Sequence, residues 1–436
     1  MPKKSSTIWL CESCGNEFST WAGKCPACDE WNSLKELKVE GSKFKVRNGE
    51  AIESKKMAEV EVGKVDRTKT GIGEFDRVMG GGIVPGSITL LGGEPGIGKS
   101  TLILQVASKM KRALYLSAEE SMPQITMRAK RLGLNGDNIT LTSGPEISQL
   151  GREIEKLDPD LIIIDSIQTV YVDSYDATPG SIVQVRECGI FLQQLAKKSP
   201  RQGSGQAGHA IILIGHVTKE GNLAGPRILE HLVDTVLYME GEKFSEARIL
   251  RDIKNRFGPT NEVGIFSMQE KGLFEVKNPS ELFLSEKTNN PGSVITVALE
   301  GTRPILIEVQ ALVAPTHFGY PKRTSSGFDL NRLNLLAAVI SKKTLLDLSN
   351  HDIYLNIVGG MRVNEPAVDL AVCAAIISSY KNKSFGGDTV FIGEVGLLGE
   401  VRKVIRQSDR EKEAKNLGYK IVENIKDVSA LAEKLR

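Results

Sequence analysis

The stretch of sequence that decides the fold is Gly93-Glu94-Pro95-Gly96-Ile97-Gly98-Lys99-Ser100. Residues 87–91 before it predict a buried strand, and residues 101–110 after it carry apolar side chains at helical spacing. The glycines therefore lie on a strand-to-helix turn, where backbone N–H groups can close round an oxyanion and the helix N-terminus adds positive potential. A glycine-rich turn with an incidental lysine is the alternative, but G-x-x-x-x-G-K-[ST] between these two elements favours a phosphate-binding loop.

The predicted loop specifies how a nucleotide and a metal ion would be bound. Lys99 is expected to hold the β and γ phosphates of ATP, and Ser100 is expected to bind Mg²⁺. The residues predicted to contact ATP or ADP are Gly93, Glu94, Pro95, Gly96, Ile97, Gly98, Lys99, Ser100 and Thr101.

Length and composition set wide limits on the class of protein. A chain of 436 residues predicts about three domains, and 40% hydrophobic with 25% charged residues is typical of a globular protein with a sizeable core. The net charge of +2 neither indicates nor excludes nucleic-acid binding, because acidic surface can offset a basic groove. No apolar run approaches the roughly 18 residues of a membrane span, and residues 1–10 lack the apolar core of a secretory signal. We therefore expect a cytoplasmic protein with no membrane partner.

Two C-x-x-C pairs near the N-terminus predict a zinc site. Cys11 and Cys14 form the first pair, and Cys25 and Cys28 form the second after ten intervening residues. A module of residues 1–38 is too small to be stabilised by core burial, whereas structural zinc supplies roughly 10–16 kcal/mol of binding free energy. Thioredoxin-like redox chemistry is the alternative, but no βαβ pattern surrounds either pair.

Aromatic side chains crowd this N-terminal module. They are Trp9, Phe18, Trp21 and Trp31. We expect them to form its small apolar core, and the alternative is a platform on which single-stranded bases stack. Over residues 39–65 the charges alternate and apolar periodicity fades, which predicts a linker.

Residues 66–275 alternate short apolar runs with helical patterns. Strands are predicted at residues 113–116, 139–141, 161–164, 211–214, 235–239 and 247–253. Helices are predicted at residues 123–132, 147–157 and 182–198. Short, continuously apolar strands between helices are typical of a parallel sheet covered on both faces, so we predict an α/β domain. Cys188 and the later Cys373 fall in apolar helical patterns and are expected to be buried.

Acidic side chains follow two of the predicted strands, at the edge where open α/β sheets bind ligands. Asp165 is the expected second Mg²⁺ contact, through water, unless it only caps the next segment. Glu119 is the preferred group to orient the attacking water, with Glu120 in reserve, and a solvated turn residue is the alternative for either acid. His216 follows a further strand, where it either senses the γ phosphate or makes a local hydrogen bond.

A cationic motif, Lys254-Asn255-Arg256-Phe257-Gly258, follows the last of these strands. No acid within these five residues neutralises its two cations. From composition alone, a solvated surface is the simplest interpretation of such a charge run.

Several segments together resemble the bacterial RadA family, also called Sms, recombination and repair ATPases of the RecA-like superfamily. They are TGIGEFDRVMGGGIVPGSITLLGGEPGIGKSTLILQ, YLSAEES, LIIIDSIQTV, GHVTKEG and KNRFG, together with the Cys₄ element. The resemblance runs nearly end to end and implies a ring-forming, DNA-dependent ATPase. It also implies that KNRFG couples nucleotide state to work on DNA, so Lys254 and Arg256 become candidates for contacts across a subunit interface. A trans arginine contributes roughly 10³–10⁵ in rate in related chemistry.

Residues 276–436 predict a second, α+β domain. Strands are predicted at residues 294–299, 305–312, 353–358, 390–392 and 419–422, and helices at residues 329–343, 366–379 and 408–417. The segments MRVNEPAVDLAVCAAIISS and FIGEVGLLGEVRKV resemble the proteolytic domain of Lon, a serine–lysine peptidase. Ala367 stands where Lon carries its serine, and Arg410, near the lysine position, cannot act as a base because its guanidinium stays protonated. We therefore predict no peptidase activity.

The resemblance assigns this degenerate domain to assembly and to contact with DNA. A basic groove is predicted from Lys322, Arg323, Arg332, Arg362, Arg402, Lys403 and Arg406. An ordinary solvated surface is the alternative for each of them. One departure from the family pattern is the Gly/Ser-rich segment 199–209, which predicts a long surface loop.

The expected fold is an α/β RecA-like P-loop ATPase core with an N-terminal zinc-ribbon-like module and a C-terminal α+β Lon-protease-like domain. The expected function is translocation on single-stranded DNA by a ring helicase that promotes branch migration. The expected partners are single-stranded and branched DNA, a RecA-type recombinase, and further copies of the chain in a hexameric ring. The rival functions are an ATP-gated DNA-binding scaffold without motor activity and an ATP-dependent protease, which Ala367 disfavours.

Overall fold

The computed structural model describes most of the chain. It covers residues 6–11, 16–27, 29–39, 56, 67–175, 177–198, 208–216, 227–241, 246–284, 289–317 and 320–435. Cys14, Cys28, and most of the predicted linker and of the predicted loop 199–209 lie outside the described residues. The described residues form two compact units, the first within 1–240, 250–260 and 269–273, and the second within 241–249, 261–268 and 274–436. The domain boundaries after residues 38, 65 and 275 stay predictions.

Three short strands form an antiparallel sheet near the start of the chain. β1 (Ser6–Cys11) lies between β2 (Glu17–Phe18) and β3 (Leu34–Val39). β1 pairs along its whole length with β3, so that Cys11 lies opposite Leu34. The central strand of this sheet therefore ends at Cys11, the first predicted zinc ligand.

A nine-stranded sheet forms around the predicted phosphate-binding loop. Its strands are β4 (Ile88–Gly93), β5 (Ala113–Ser117), β6 (Ile139–Ser143), β7 (Leu161–Asp165), β8 (Ala210–Ile214), β9 (Thr235–Glu240), β10 (Ala247–Asn255), β11 (Val263–Gln269) and β12 (Gly272–Glu275). The spatial order is β12-β11-β10-β9-β4-β8-β7-β5-β6. All neighbouring strands from β9 to β6 pair in parallel, which confirms the predicted α/β fold. The sequence patterns do not predict β11 and β12.

Helices precede and connect the parallel strands. They are α1 (Gly73–Val78), α2 (Lys99–Lys109), α3 (Met122–Arg131), α4 (Leu150–Leu157), α5 (Ile182–Lys198) and α6 (Arg227–Leu232). Every residue of β4, β5, β7 and β8 is buried, and Val185, Cys188 and Leu192 of α5 pack into the same core. Burial raises the pKa of the Cys188 thiol to about 12, which agrees with a structural role. Among the described residues, no helix is long and apolar enough to cross a membrane.

The carboxyl ends of four parallel strands meet at one edge of this sheet. Ser117 of β5 lies opposite Asp165 of β7, which lies opposite Ile214 of β8, and Ile214 lies opposite Leu91 of β4. The end of β10 lies at the other edge, because the Arg256 N–H donates to the carbonyl oxygen of Asp234, just before β9 begins. The phosphate-binding loop and the KNRFG motif therefore follow opposite edges.

The second unit is an α+β arrangement with its own core. Its six-stranded sheet has the order β15-β16-β14-β13-β17-β20. The strands are β13 (Ser293–Glu300), β14 (Arg303–Pro315), β15 (Arg323–Ser326), β16 (His351–Ile357), β17 (Thr389–Val390) and β20 (Lys420–Ile421), with β18 (Glu394–Val395) and β19 (Val401–Arg402) in a separate hairpin. The helices are α7 (Pro279–Leu284), α8 (Leu330–Lys343), α9 (Asp369–Lys381), α10 (Gln407–Asn416) and α11 (Val428–Glu433).

Helix α9 forms the centre of this second core. All its residues from Asp369 to Ser378 are buried, and its apolar side chains share one cluster with those of α8 and β14. The helix predicted from residue 366 begins instead as a 3₁₀ turn, Pro366–Val368. The Gly393 N–H donates to the carbonyl oxygen of Ala367, which holds this turn in place before α9.

Candidate functional site

The predicted phosphate-binding loop has the shape of an anion cradle. Gly93, Gly96 and Gly98 have positive φ angles of 149°, 78° and 116°, which other residues rarely adopt. A Cβ atom at Gly93 would lie 2.7 Å from the carbonyl oxygen of Met239 on β9. Glycine is therefore required where the loop leaves β4.

Lys99 begins α2 and turns its ammonium group back into the loop. Its Nζ donates to the carbonyl oxygens of Gly93 at 2.8 Å and of Glu94 at 2.9 Å. Burial lowers the pKa of Lys99 to about 8, and the carboxylates of Asp165 and Glu119 oppose that shift. A phosphate would supply the negative charge that two neutral carbonyls lack, so this cradle fits a nucleotide.

Asp165 ends β7 and is buried beside the loop. The Tyr115 hydroxyl on β5 donates to Asp165 Oδ2 at 2.5 Å, and Ser100 also hydrogen-bonds the carboxylate. Burial raises the pKa of Asp165 above its ordinary value, and these two hydroxyls oppose the rise. A carboxylate and a hydroxyl in contact beside a phosphate cradle form a hard oxygen donor set. The pair formed by Ser100 and Asp165 therefore fits Mg²⁺.

Glu119 follows β5 and has two donors of its own. Ser166 Oγ donates to Glu119 Oε1 at 2.5 Å, and His216 Nε2 lies 3.2 Å from the same oxygen. The hydrogen bond from His216 is the main cause that lowers the pKa of Glu119. An ionised carboxylate is the form that can orient a water molecule or accept its proton. For His216, the predicted local hydrogen bond is present.

Glu120, the reserve group, is engaged differently. Its carboxylate pairs with the guanidinium of Arg128 on α3, and its backbone N–H donates to Ser117 Oγ at 3.0 Å. A cavity of about 490 Å³ opens beside both acids, between the ends of β5 and β6. The neighbouring acids thus differ, since Glu120 has a cationic partner and Glu119 has hydroxyl and imidazole donors.

The cations of the KNRFG motif lie at the other edge of the sheet. Lys254 Nζ donates to the carbonyl oxygens of Glu230 and, at 2.9 Å, of Val233, at the end of α6. Arg256 Nη1 lies 3.3 Å from Asp234 Oδ1. Lys254 is half-buried and burial lowers its pKa, whereas Arg256 is exposed, so a solvated surface describes Arg256 better than Lys254. Because β4 has six residues, or roughly 20 Å, both cations lie far from the phosphate-binding loop of their own chain.

Three residues of this unit hold these groups in place although the sequence patterns assign them no role. Tyr115 and Ser166 donate to the two carboxylates described above. Arg67 donates to the carbonyl oxygen of Met79 at 2.8 Å and to that of Phe257. Arg67 thereby ties the turn after α1 to the KNRFG motif. The available signal for Ser166 is its position directly after Asp165, whereas Tyr115 and Arg67 are recognised only from contacts distant in sequence.

The described part of the N-terminal module has two buried cysteines. Cys11 Sγ lies 3.2 Å from Ser33 Oγ, and the Ala27 N–H donates to Cys25 Sγ at 3.4 Å. The Cys11 thiol is the donor in the first contact, whereas a polar hydrogen is directed at the sulfur in the second. Such a hydrogen stabilises a metal-bound thiolate, so the environment of Cys25 fits Zn²⁺. The other two predicted ligands lie outside the described residues.

The aromatic side chains of this module divide into two groups. Trp9 and Phe18 pack against the buried cysteines and Leu34, as expected of a core. Trp21 and Trp31 are exposed over 57% and 68% of their surface. The prediction of an apolar core is therefore confirmed for the first pair and wrong for the second pair, because a module this small cannot enclose four large rings.

The positions of the second unit that the sequence relates to the Lon serine and lysine contain an alanine and a paired arginine. Ala367 is 2% exposed, and Arg410 on α10 is 1% exposed. Arg410 Nη1 donates to Val297 O at 2.6 Å and to Glu365 Oε1 at 2.8 Å, and the Leu299 N–H donates to the same carboxylate at 2.6 Å. These residues supply neither a nucleophilic hydroxyl nor a base.

The structure gives contacts for several of the cations predicted to line a basic groove. These contacts are Arg323 with the carbonyl oxygens of Leu348 and His351, Arg332 with Asp369, Arg402 with Glu400, and Arg406 with Asp409. Lys322, Arg362 and Lys403 are exposed. Arg402 and Arg406 are exposed as well, so five of the seven predicted side chains lie on the surface.

Comparison with known proteins gives matches to two segments and to nearly the whole chain. Residues 68–143 match the ATPase family described as KaiC, and residues 9–36 match a rubredoxin metal-binding domain family. The DNA repair protein RadA of Halalkalibacterium halodurans is 46% identical over 429 residues, which cover 96% of this chain and 92% of that protein. The DNA repair protein RadA of Bacillus subtilis is 46% identical over 428 residues, with the same two coverages.

Among solved structures, a KaiC-like protein from Pyrococcus horikoshii OT3 aligns with 49% of this chain and 99% of its own length. The sequence identity is 19% and the TM-score is 0.40.

Proposed function

Because the chain belongs to the RadA family of DNA repair proteins, with an ATPase domain and a zinc-ribbon domain, we propose that it is a DNA-dependent ATPase that translocates on single-stranded DNA as a ring helicase. In this role it promotes branch migration and processes recombination intermediates. The observation that supports the proposal most strongly is the gathering of Lys99, Asp165 and Glu119 at one edge of the sheet, with Lys254 and Arg256 at the other edge.

The proposed ATP hydrolysis uses the edge that carries the phosphate-binding loop. Lys99 exchanges its two backbone carbonyls for the β and γ phosphates. Ser100 and Asp165 hold Mg²⁺, which neutralises charge on the phosphates when it is bound. Glu119 orients the attacking water, and its two hydrogen-bond donors keep the carboxylate ionised and directed.

The proposed role of Lys254 and Arg256 is contact with the nucleotide of a neighbouring copy. The length of β4 separates these cations from the loop of their own chain, so their contact with a nucleotide requires a second chain. A closed ring, which we propose to be hexameric, would bring the loop edge of each copy to the cationic edge of the next. An arginine supplied in this way raises hydrolysis roughly 10³–10⁵-fold in related enzymes.

The proposed partners are single-stranded and branched DNA and a RecA-type recombinase, in the cytoplasm. Lys322, Arg362 and Lys403, which are exposed in the second unit, support contact with a phosphate backbone. The proposed cofactors are ATP, Mg²⁺ and a structural Zn²⁺ bound by the four N-terminal cysteines.

Strand displacement from a forked duplex tests this proposal. With ATP and Mg²⁺, the full chain should displace a strand with one preferred polarity, and Lys99→Ala should not. Lys254→Ala should still bind ATP but should lose displacement, whereas Lys271→Ala, at an exposed lysine, should behave like the parent. If the chain hydrolyses ATP and binds DNA but displaces no strand in either polarity, the scaffold function would be favoured over the motor.

A further inference from the structure

A tyrosine hydroxyl is buried against the proposed Mg²⁺ carboxylate. Tyr115 lies on β5, next to β7, and its side chain is fully buried. Its hydroxyl donates to Asp165 Oδ2 at 2.5 Å. The ring is held within a strand whose residues are all buried, so the position of this hydroxyl is set by the sheet itself.

The hydrogen-bond donors of this region are divided between two carboxylates. Tyr115 and Ser100 form hydrogen bonds with Asp165, whereas Ser166 and His216 form hydrogen bonds with Glu119. Two acids so close together compete for the same cations and donors. Separate donors hold each carboxylate in its own orientation.

We propose that Tyr115 is a positioning residue for Mg²⁺: its hydroxyl fixes the rotation of the Asp165 carboxylate, so that a metal ion held through water meets an oriented acceptor. This inference rests on the proposed function, because it assigns Asp165 to Mg²⁺. Ser100 is itself a Mg²⁺ ligand in that assignment, so its bond to Asp165 is exchanged when the ion binds, whereas the bond from Tyr115 remains. Partners of this kind, one step behind a metal ligand, change metal affinity by roughly 10–100-fold when they are removed.

The test compares Tyr115→Phe with the parent in full-length protein, by equilibrium binding of a fluorescent ATP analogue. Mg²⁺ is titrated at fixed nucleotide, and binding in excess EDTA is measured separately. Tyr115→Phe should need about 10-fold or more Mg²⁺ for its half-maximal effect, while its nucleotide affinity in EDTA stays within about twofold of the parent. Tyr171→Phe removes a hydroxyl from the same unit and should leave both values unchanged.

A double variant separates positioning from a general loosening of the site. In an Asp165→Asn background, Tyr115→Phe should cause no further change in the Mg²⁺ midpoint, because the acceptor that it orients is already lost. An unchanged midpoint in Tyr115→Phe, or equal effects in both backgrounds, would overturn the proposal. Weakened binding in EDTA would overturn it as well. If Mg²⁺ did not change nucleotide binding by the parent, the proposed Mg²⁺ site would be wrong, whatever the effect of Tyr115→Phe.

Discussion

Two corners of the molecule carry buried charges, and they compensate those charges differently. At the ATPase edge, Asp165 and Glu119 receive hydrogen bonds from hydroxyl and imidazole groups, and Lys99 donates to neutral carbonyls. In the corner of the second unit, Glu365 receives the guanidinium of Arg410. In the first corner, Asp165 and Lys99 have uncharged hydrogen-bond partners, whereas the second corner pairs its charges.

The difference indicates which buried charges are available to a ligand. A carboxylate held by neutral donors still attracts a cation or a proton. The two charges of a close ion pair largely cancel, so the pair attracts further ions only weakly. The same contrast occurs within the ATPase unit, where Glu120 pairs with Arg128 beside Glu119. We expect chemistry to depend on the groups with neutral partners and stability to depend on the pairs.

The largest expected effect is that of Lys99→Ala. Removing a buried cation that faces phosphates should weaken ATP binding about 100-fold or more and should abolish hydrolysis. Binding of a fluorescent ATP analogue measures this loss. Lys109→Ala, at the exposed end of the same helix, is the control and should bind normally. Normal ATP binding by Lys99→Ala would show that ligand binding at the ATPase edge does not depend on this buried charge.

Glu119 and Glu120, which are adjacent in the sequence, allow the two kinds of compensation to be compared directly. Glu119→Gln should lower the hydrolysis rate roughly 10²–10⁴-fold while ATP binding is kept, because an amide cannot accept the proton. Glu120→Gln should change the rate only a few-fold, since its partner is Arg128. Steady-state hydrolysis at saturating ATP measures both variants. A larger loss of rate in Glu120→Gln than in Glu119→Gln would assign the orientation of the attacking water to Glu120 instead.

A smaller effect, on stability alone, is expected from Arg410→Ala. Removing the guanidinium leaves the Glu365 carboxylate with less compensation and should cost about 3 kcal/mol of unfolding free energy in the second unit. Denaturant unfolding measures the cost, and Lys412→Ala, at an exposed position of α10, should cost almost nothing. ATP binding should match the parent in both variants, and a parallel loss of ATP binding would contradict the separation.

No gain of activity is expected from Ala367→Ser. The substitution restores a hydroxyl, but Arg410 cannot accept its proton and is bound to Glu365. Digestion of labelled casein, beside an active serine peptidase, should show no cleavage. Cleavage by the variant would show that a paired charge can still be recruited for chemistry.

The sequence predicts the parts of the site that follow local rules. The glycines around Lys99 and the acid at the end of β7 are recognisable because a phosphate cradle and a strand end each need few residues in fixed order. The parallel sheet is also predicted correctly, since its buried strands are short and continuously apolar.

The remaining features depend on which side chains meet across the sheet. Tyr115 becomes a partner of Asp165 only through the pairing of β5 with β7, and Arg67 meets Phe257 across nearly two hundred residues. The partner of a cationic side chain likewise cannot be recognised from the sequence. Arg332 is therefore predicted to line a groove, although in the structure it pairs with the buried Asp369.

Steady-state ATP hydrolysis with and without single-stranded DNA tests the central claim most directly. The measurement uses the full chain at two salt concentrations, with Lys99→Ala as the control. We predict that DNA stimulates hydrolysis, that the stimulation weakens at the higher salt concentration, and that the control shows no hydrolysis. Hydrolysis that is indifferent to DNA at both salt concentrations would contradict a DNA-coupled ATPase.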